Sequence, residues 1–160
     1  MGAGRVITTD ISKYRLKMAR ELGADAVIEA KEDVPGRLRA VNDNRLAELI
    51  IVCTGALSAF NQALQSVDRG GTVLFFASTE PGVDLAVPLS EFWRNGVKLM
   101  PSYGNSPLDA TVAIELIRTG RIPVKKMITH RLPLEETGKG FQLVAESNES
   151  MKVIIEPHKK

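Results

Sequence analysis

From Arg5 to Thr119 short apolar runs alternate with segments whose apolar residues recur at helical spacing, and this rhythm restricts the fold more than any other feature. Alternation of that kind builds βαβ units, which set strands parallel and lay helices on the faces of the sheet. Arg5-Val6-Ile7-Thr8-Thr9-Asp10 is β-branched and reads as a strand ending on an acid. Residues 12–22 follow as a helix, with Tyr14, Met18 and Leu22 in one row and Leu16 and Ala19 beside it. Ser12 suits its N-cap and Gly23 the position just past its end. Ala26-Val27-Ile28 is a short strand, and 34–45 a weakly amphipathic helix with Pro35 tolerated in its first turn. Leu49-Ile50-Ile51-Val52-Cys53 is apolar without interruption, as expected of a strand covered on both faces.

A helix over 58–68, a Gly70-Gly71 turn and a buried strand from Thr72 to Ala77 come next. A loop with Pro81-Gly82 and Pro88 leads to a helical turn near Phe92-Trp93 and a strand at Val97-Lys98-Leu99-Met100. Ser106-Pro107-Leu108-Asp109 supplies a cap, a proline at the first helical position and an acid at the third, so a helix starts there and runs to about Thr119 before Gly120. From Arg121 the rhythm changes. Met127–His130 and Met151–Ile155 read as strands around a weak helix containing Gly138 and Gly140, a tail expected to dock away from the main sheet.

Composition narrows the function classes. At 160 residues the chain suits one core of ordinary size, and 21 basic against 19 acidic residues give no electrostatic reason to expect nucleic acid or an anionic membrane. Aromatic residues make up 5%, too few for base-stacking platforms. No apolar stretch reaches the roughly 20 residues of a membrane span. A single cysteine forms no internal disulfide and suits a reducing cytosol.

Asp10 stands where a strand ends and a helix begins. In dinucleotide folds an acid there hydrogen-bonds the adenosine ribose and repels a 2′-phosphate, which selects NAD. It is equally read as an acid closing a strand beside a helix N-terminus, where its charge is favourable. Arg15 lies along an adenosine in the first reading and is a solvated helix residue in the second. Cys53-Thr54-Gly55, Ala77-Ser78 and Ser102-Tyr103-Gly104 each follow a parallel strand, and ligands of open α/β sheets bind at those carboxyl ends. Taken singly each is a turn of small residues; their shared edge is what favours a site. Cys53 reads as a small buried hydrophobe rather than a nucleophile. His130 follows a strand, and His158 lies in a polar end where order is not expected. Two distant histidines and one cysteine form no zinc-ligand spacing, and no catalytic residue is singled out.

These residues together resemble a known family. Gly2-Ala3-Gly4-Arg5-Val6-Ile7 through Asp10, Tyr14-Arg15-Leu16, Glu21-Leu22-Gly23-Ala24-Asp25, Cys53-Thr54-Gly55, Gly70-Gly71-Thr72-Val73, Ile128–Glu136 and Lys152–Ile155 are similar, in order, to the zinc-type medium-chain alcohol/polyol dehydrogenases, nearest the sorbitol/threonine dehydrogenase branch. The resemblance implies an α/β, Rossmann-like, mostly parallel sheet over residues 1–120 that lacks the first βα unit. Residues 121–160 would be a C-terminal segment of the catalytic domain. It implies hydride transfer between NAD and an alcohol or ketone, with zinc polarising the oxygen. Asp10 and Arg15 would hold the adenosine side, residues 53–55, 77–78 and 102–103 would contact cofactor, and Lys152 would approach the pyrophosphate.

The family's G-x-G-x-x-G turn and its zinc-bearing catalytic domain have no counterpart here, so this chain alone is expected to be inactive and zinc to belong to the lacking part. In the family strand order 3-2-1-4-5-6 the lacking strand sits between the second and fourth. The sheet is then expected to heal, by strand 5–10 pairing with strand 48–53 or with another chain, a complementing N-terminal half included. A homodimer through Val97–Tyr103 is expected as well. Two other classes stay open: a non-catalytic nucleotide-fold interaction module, and an S-adenosylmethionine methyltransferase, whose second strand also ends on an acid.

Overall fold

The computed structural model describes residues 3–146 and 149–158. Gly2, with which the family resemblance starts, lies outside them. All the strand pairs among the described residues are parallel. Strand β1 (Ile7–Asp10) pairs with β2 (Ala26–Glu29), and β3 (Ala47–Val52), β4 (Val67–Phe75) and β5 (Lys98–Pro101) form a second sheet in that order. Helices α1 (Lys13–Glu21), α2 (Val34–Val41), α3 (Leu57–Ser66) and α4 (Leu89–Asn95) make the crossovers, and α5 (Pro107–Arg118) follows β5. The α/β class and the alternation stand as read.

Local chemistry explains the element ends. The Ser12 hydroxyl accepts from the Arg15 amide at 3.3 Å and caps α1, and Gly23 beyond its end has φ +105°. Helix α2 stops at Val41, short of the expected 45. Asp43 and Asn44 both take the left-handed conformation, and the Asn42 side chain donates from Nδ2 to the Arg45 and Leu46 carbonyls, an alternative to the helical ladder. Strand β4 starts at Val67 rather than Thr72. Its register against β3 shifts between Ala47 and Leu49, so the Gly70-Gly71 pair lies inside the strand as an irregularity.

The tail also departs from expectation. After a helical turn α6 (Val124–Met127), strands β6 (Ile128–Pro133) and β7 (Lys152–Glu156) pair in parallel around a single 3-10 turn (Leu134–Glu136) and helix α7 (Thr137–Glu146). It is thus a small βαβ unit of its own. Gly138 and Gly140 do not weaken α7: a Cβ on Gly140 would stand 3.2 Å from Ile155 Cδ1, so the glycine lets the helix settle on β7. His158 lies in an exposed turn after β7. No helix among the described residues is long and apolar enough to cross a membrane.

Packing is one-sided. Paired residues of parallel strands point to the same face. Val52, Val73 and partly buried Ile50, Phe75 and Leu99 meet Phe60, Ala63 and Leu64 of α3 and Phe92 of α4. Helix α2 continues that layer: Ile28, Val34 and Leu38 form a second cluster that Ile7 joins from β1 and Leu46 and Ala47 from the start of β3. On the opposite face Leu49 and Ile51 are 58% and 52% exposed. The reading of 49–53 as covered on both sides is therefore corrected.

The expected healing of the sheet within the chain does not occur. Strands β1 and β3 do not pair. Ile7 of β1 and Leu46 and Ala47 beside β3 pack against the cluster of Ile28, Val34 and Leu38, and Gln62 of α3 donates from Nε2 to the Ala30 carbonyl at 3.0 Å, so side chains link the two sheets where no ladder does.

Candidate functional site

Asp10 ends β1, and its Oδ1 accepts from the Ser12 amide at 2.8 Å. This Asx turn launches α1, which is the structural role that its position suggested. Oδ2 has no hydrogen-bond partner among the described residues and is left to accept from something else.

Strand and helix periodicities then assemble a cavity. Val6, Thr8 and Asp10 alternate onto one face of β1, while Arg15, Ala19 and Leu22 recur along one side of α1. With Met127, Met151 and Lys152 of the tail they enclose an open space of about 680 Å³. Its walls are mainly apolar, with one carboxylate and two cations at polar positions. The structure thus brings together Asp10, Arg15 and Lys152, which lie far apart in sequence. The apolar wall was not singled out from the sequence, although the spacing 6, 8, 10 and 15, 19, 22 carries the signal. The tail docks beside β1 and α1, a placement that no local pattern encodes.

The remaining candidates lie elsewhere, along the carboxyl edge of the three-stranded sheet. The Phe76 and Ala77 amides donate to the Val52 carbonyl at 3.0 and 3.1 Å, and the Ser102 amide donates to the Phe75 carbonyl at 2.9 Å. Gly55 comes so near that a Cβ there would lie 2.7 Å from the Ser78 carbonyl oxygen. Cys53, Thr54, Gly55, Ala77, Ser78 and Ser102 therefore share one rim, with Tyr103 wholly in solvent beyond it. None of them lines the cavity at Asp10. Cys53 is exposed, not buried: it has left the ladder at the strand end, where nothing packs over it.

The donor set does not fit zinc. Among the described residues no three His, Cys, Asp or Glu side chains stand close enough to hold a metal ion. His130 is half-buried, its Nδ1 3.0 Å from Thr129 Oγ1, far in sequence from Cys53.

Comparison with known proteins gives one consistent answer. The profile of the family described as "Zinc-binding dehydrogenase" matches residues 1–119. Sorbitol dehydrogenase of Gallus gallus is 29% identical over 158 residues, 97% of this chain and 43% of that protein. L-threonine 3-dehydrogenase of Bacillus licheniformis is 30% identical over 156 residues, 96% of this chain and 45% of its own length. Among solved structures, an Escherichia coli oxidoreductase/dehydrogenase of unknown specificity superposes with a TM-score of 0.84 at 29% identity, over 97% of this chain and 44% of that one. The chain thus spans less than half the length of these relatives.

Proposed function

We propose that this chain, which belongs to the zinc-binding dehydrogenase family, is the part of an NAD(H)-dependent alcohol or polyol oxidoreductase that holds the adenosine and nicotinamide edges of the cofactor. Turnover then needs further polypeptide, because neither a zinc-ligand set nor a pyrophosphate turn is found among the described residues. The observation that carries the reading is the free Oδ2 of Asp10 above a cavity that also receives Arg15 and Lys152. A carboxylate pinned through one oxygen has its other oxygen oriented to accept from a ribose hydroxyl. The same charge disfavours a 2′-phosphate. Arg15 and Lys152 offset the carboxylate and suit an anionic nucleotide.

The rim of Cys53-Thr54-Gly55, Ala77-Ser78 and Ser102-Tyr103 supports the other half of the reading. Strand ends there leave backbone groups for a carboxamide and ribose. The family membership leaves the methyltransferase reading without support. The free edge of β5 supports self-association through Val97–Tyr103, which sedimentation at micromolar concentration tests: a monomer would refute it.

The main test is a titration of the ¹⁵N-labelled chain with ADP-ribose. Shifts are expected at Asp10, Ser12 and Arg15, and their loss in Asp10→Ala. A 2′-phosphorylated analogue should shift them less. Equal shifts with S-adenosylmethionine, or none with ADP-ribose, would overturn the reading and favour a non-catalytic module.

A further inference from the structure

Lys152 reaches the cavity from the end of a strand. It is the first residue of β7, directly after a loop, and Met151 beside it also lines the cavity. Strand ends open more readily than strand centres, so a cation placed there is held only as well as the backbone beneath it. Two hydroxyls hold that backbone. Ser150, almost wholly buried, donates to the Leu143 carbonyl of α7 at 2.7 Å. Thr129 of β6 accepts from the Met151 amide at 3.2 Å and donates to the Lys152 carbonyl at 3.3 Å. The register of β6 against β7 shifts between Ile128 and His130, which makes Thr129 the extra residue of a bulge, and its side chain bonds the partner strand there. Beyond the bulge Val153, Ile155 and Leu132 pack toward α7, at 3.4, 3.2 and 3.5 Å from where a Cβ on Gly140 would lie. Alternation along β7 then turns Lys152 to the other face, where the cavity is.

We infer that Thr129 is a positioning residue for the cofactor: its hydroxyl fixes the backbone of Met151 and Lys152, and so aims the Lys152 ammonium at the anionic part of a nucleotide whose ribose end meets Asp10. The inference rests on the reading of the cavity as a nucleotide site. Hydrogen-bond accounting makes it specific. A threonine hydroxyl has one hydrogen and two lone pairs. The hydrogen goes to the Lys152 carbonyl and one lone pair to the Met151 amide, so His130 Nδ1, 3.0 Å away, must donate into the second lone pair. The neutral ring is then protonated on Nδ1 and not on Nε2. Were the ring to accept instead, the hydroxyl hydrogen would leave Lys152 and the clamp would be lost. Thr129 does not line the cavity itself, so its effect is felt through Lys152, with the adenosine end untouched.

The test uses the full chain. Ring ¹⁵N shifts at about pH 8, with the imidazole neutral, should show His130 protonated on Nδ1; protonation on Nε2 would overturn the inference. Thr129→Val should weaken ADP-ribose binding about fivefold, the effect of one hydrogen bond, and leave adenosine binding unchanged. Thr129→Ser, which keeps the hydroxyl, should bind ADP-ribose as the wild-type chain does. In a Lys152→Ala background the valine should add nothing, because the group it positions is gone. Additive losses, equal losses for adenosine, or no rescue by serine would overturn the role of Thr129. A wild-type chain that binds ADP-ribose and is indifferent to Thr129→Val would overturn that role alone; one that binds no ADP-ribose would overturn the nucleotide reading as well.

Discussion

On the face of β3, β4 and β5 that meets α3 and α4, Val73 is fully enclosed and the rings of Phe60 and Phe75 stack with centroids 5.2 Å apart; on the other face Leu49 and Ile51 stand half in water. The same strands and the same residue types give opposite outcomes. What differs is whether the chain itself supplies a covering layer. Apolar periodicity fixes which side chains can be buried, and the crossovers decide which of them are.

The largest effect should come from breaking the covered face. Phe60→Ala should lower stability by about 3–5 kcal/mol in urea denaturation, whereas Leu49→Ala should change it by less than about 0.5 kcal/mol. Equal losses would mean that both faces are packed and would remove the contrast. Gly71→Ala comes next, at about 1–3 kcal/mol. Its Cβ would lie 2.8 Å from both the Asp68 carbonyl oxygen and Val67 Cγ2, on the strand that the helical layer depends on. A fall in Tm of several degrees would register it. Ser12→Ala, which removes the α1 cap on the open side, should cost about 1 kcal/mol; no change in the urea midpoint would show α1 to be held by packing instead.

The smallest effect concerns α5, none of whose residues is buried. The Ser106 amide donates to Asp109 Oδ2 at 2.8 Å and the Ser106 hydroxyl at 2.7 Å, and in that order they hold the Asp109 carboxyl below its ordinary range. A depressed folded-state value means that the cap stabilises α5 above the ordinary carboxylate pKa and is lost as pH falls through the folded value. The Ser106 amide resonance should report this loss while amides of α3 stay unchanged. Simultaneous loss in both would tie α5 to the covered core and blur the contrast.

Much of the framework was legible because it rests on short-range chemistry. Ser12, Gly23 and the Ser106–Asp109 box end or start their helices as read, and the strand–helix rhythm gives parallel pairing. The misreadings share another cause. The end of α2 turns on two left-handed residues and an asparagine side chain, and the start of β4 on a register shift, neither of which alters apolar spacing. Cys53, Leu49 and Ile51 look like interior because their character is interior; their exposure depends on what lies across from them. Asp10 and Arg15 were visible as candidates, but the wall of Met127 and Met151 was not, since it is formed by a segment more than a hundred residues away.

The cluster of Ile28, Val34 and Leu38 has a consequence for cooperativity. With Ile7, Leu46 and Ala47 packed on it, it joins β1 and β2 to the larger sheet through side chains, where β1 and β3 share no ladder. Side-chain contact couples two sheets less tightly than a hydrogen-bonded ladder, so the smaller sheet should open in native-state hydrogen exchange before the larger one does.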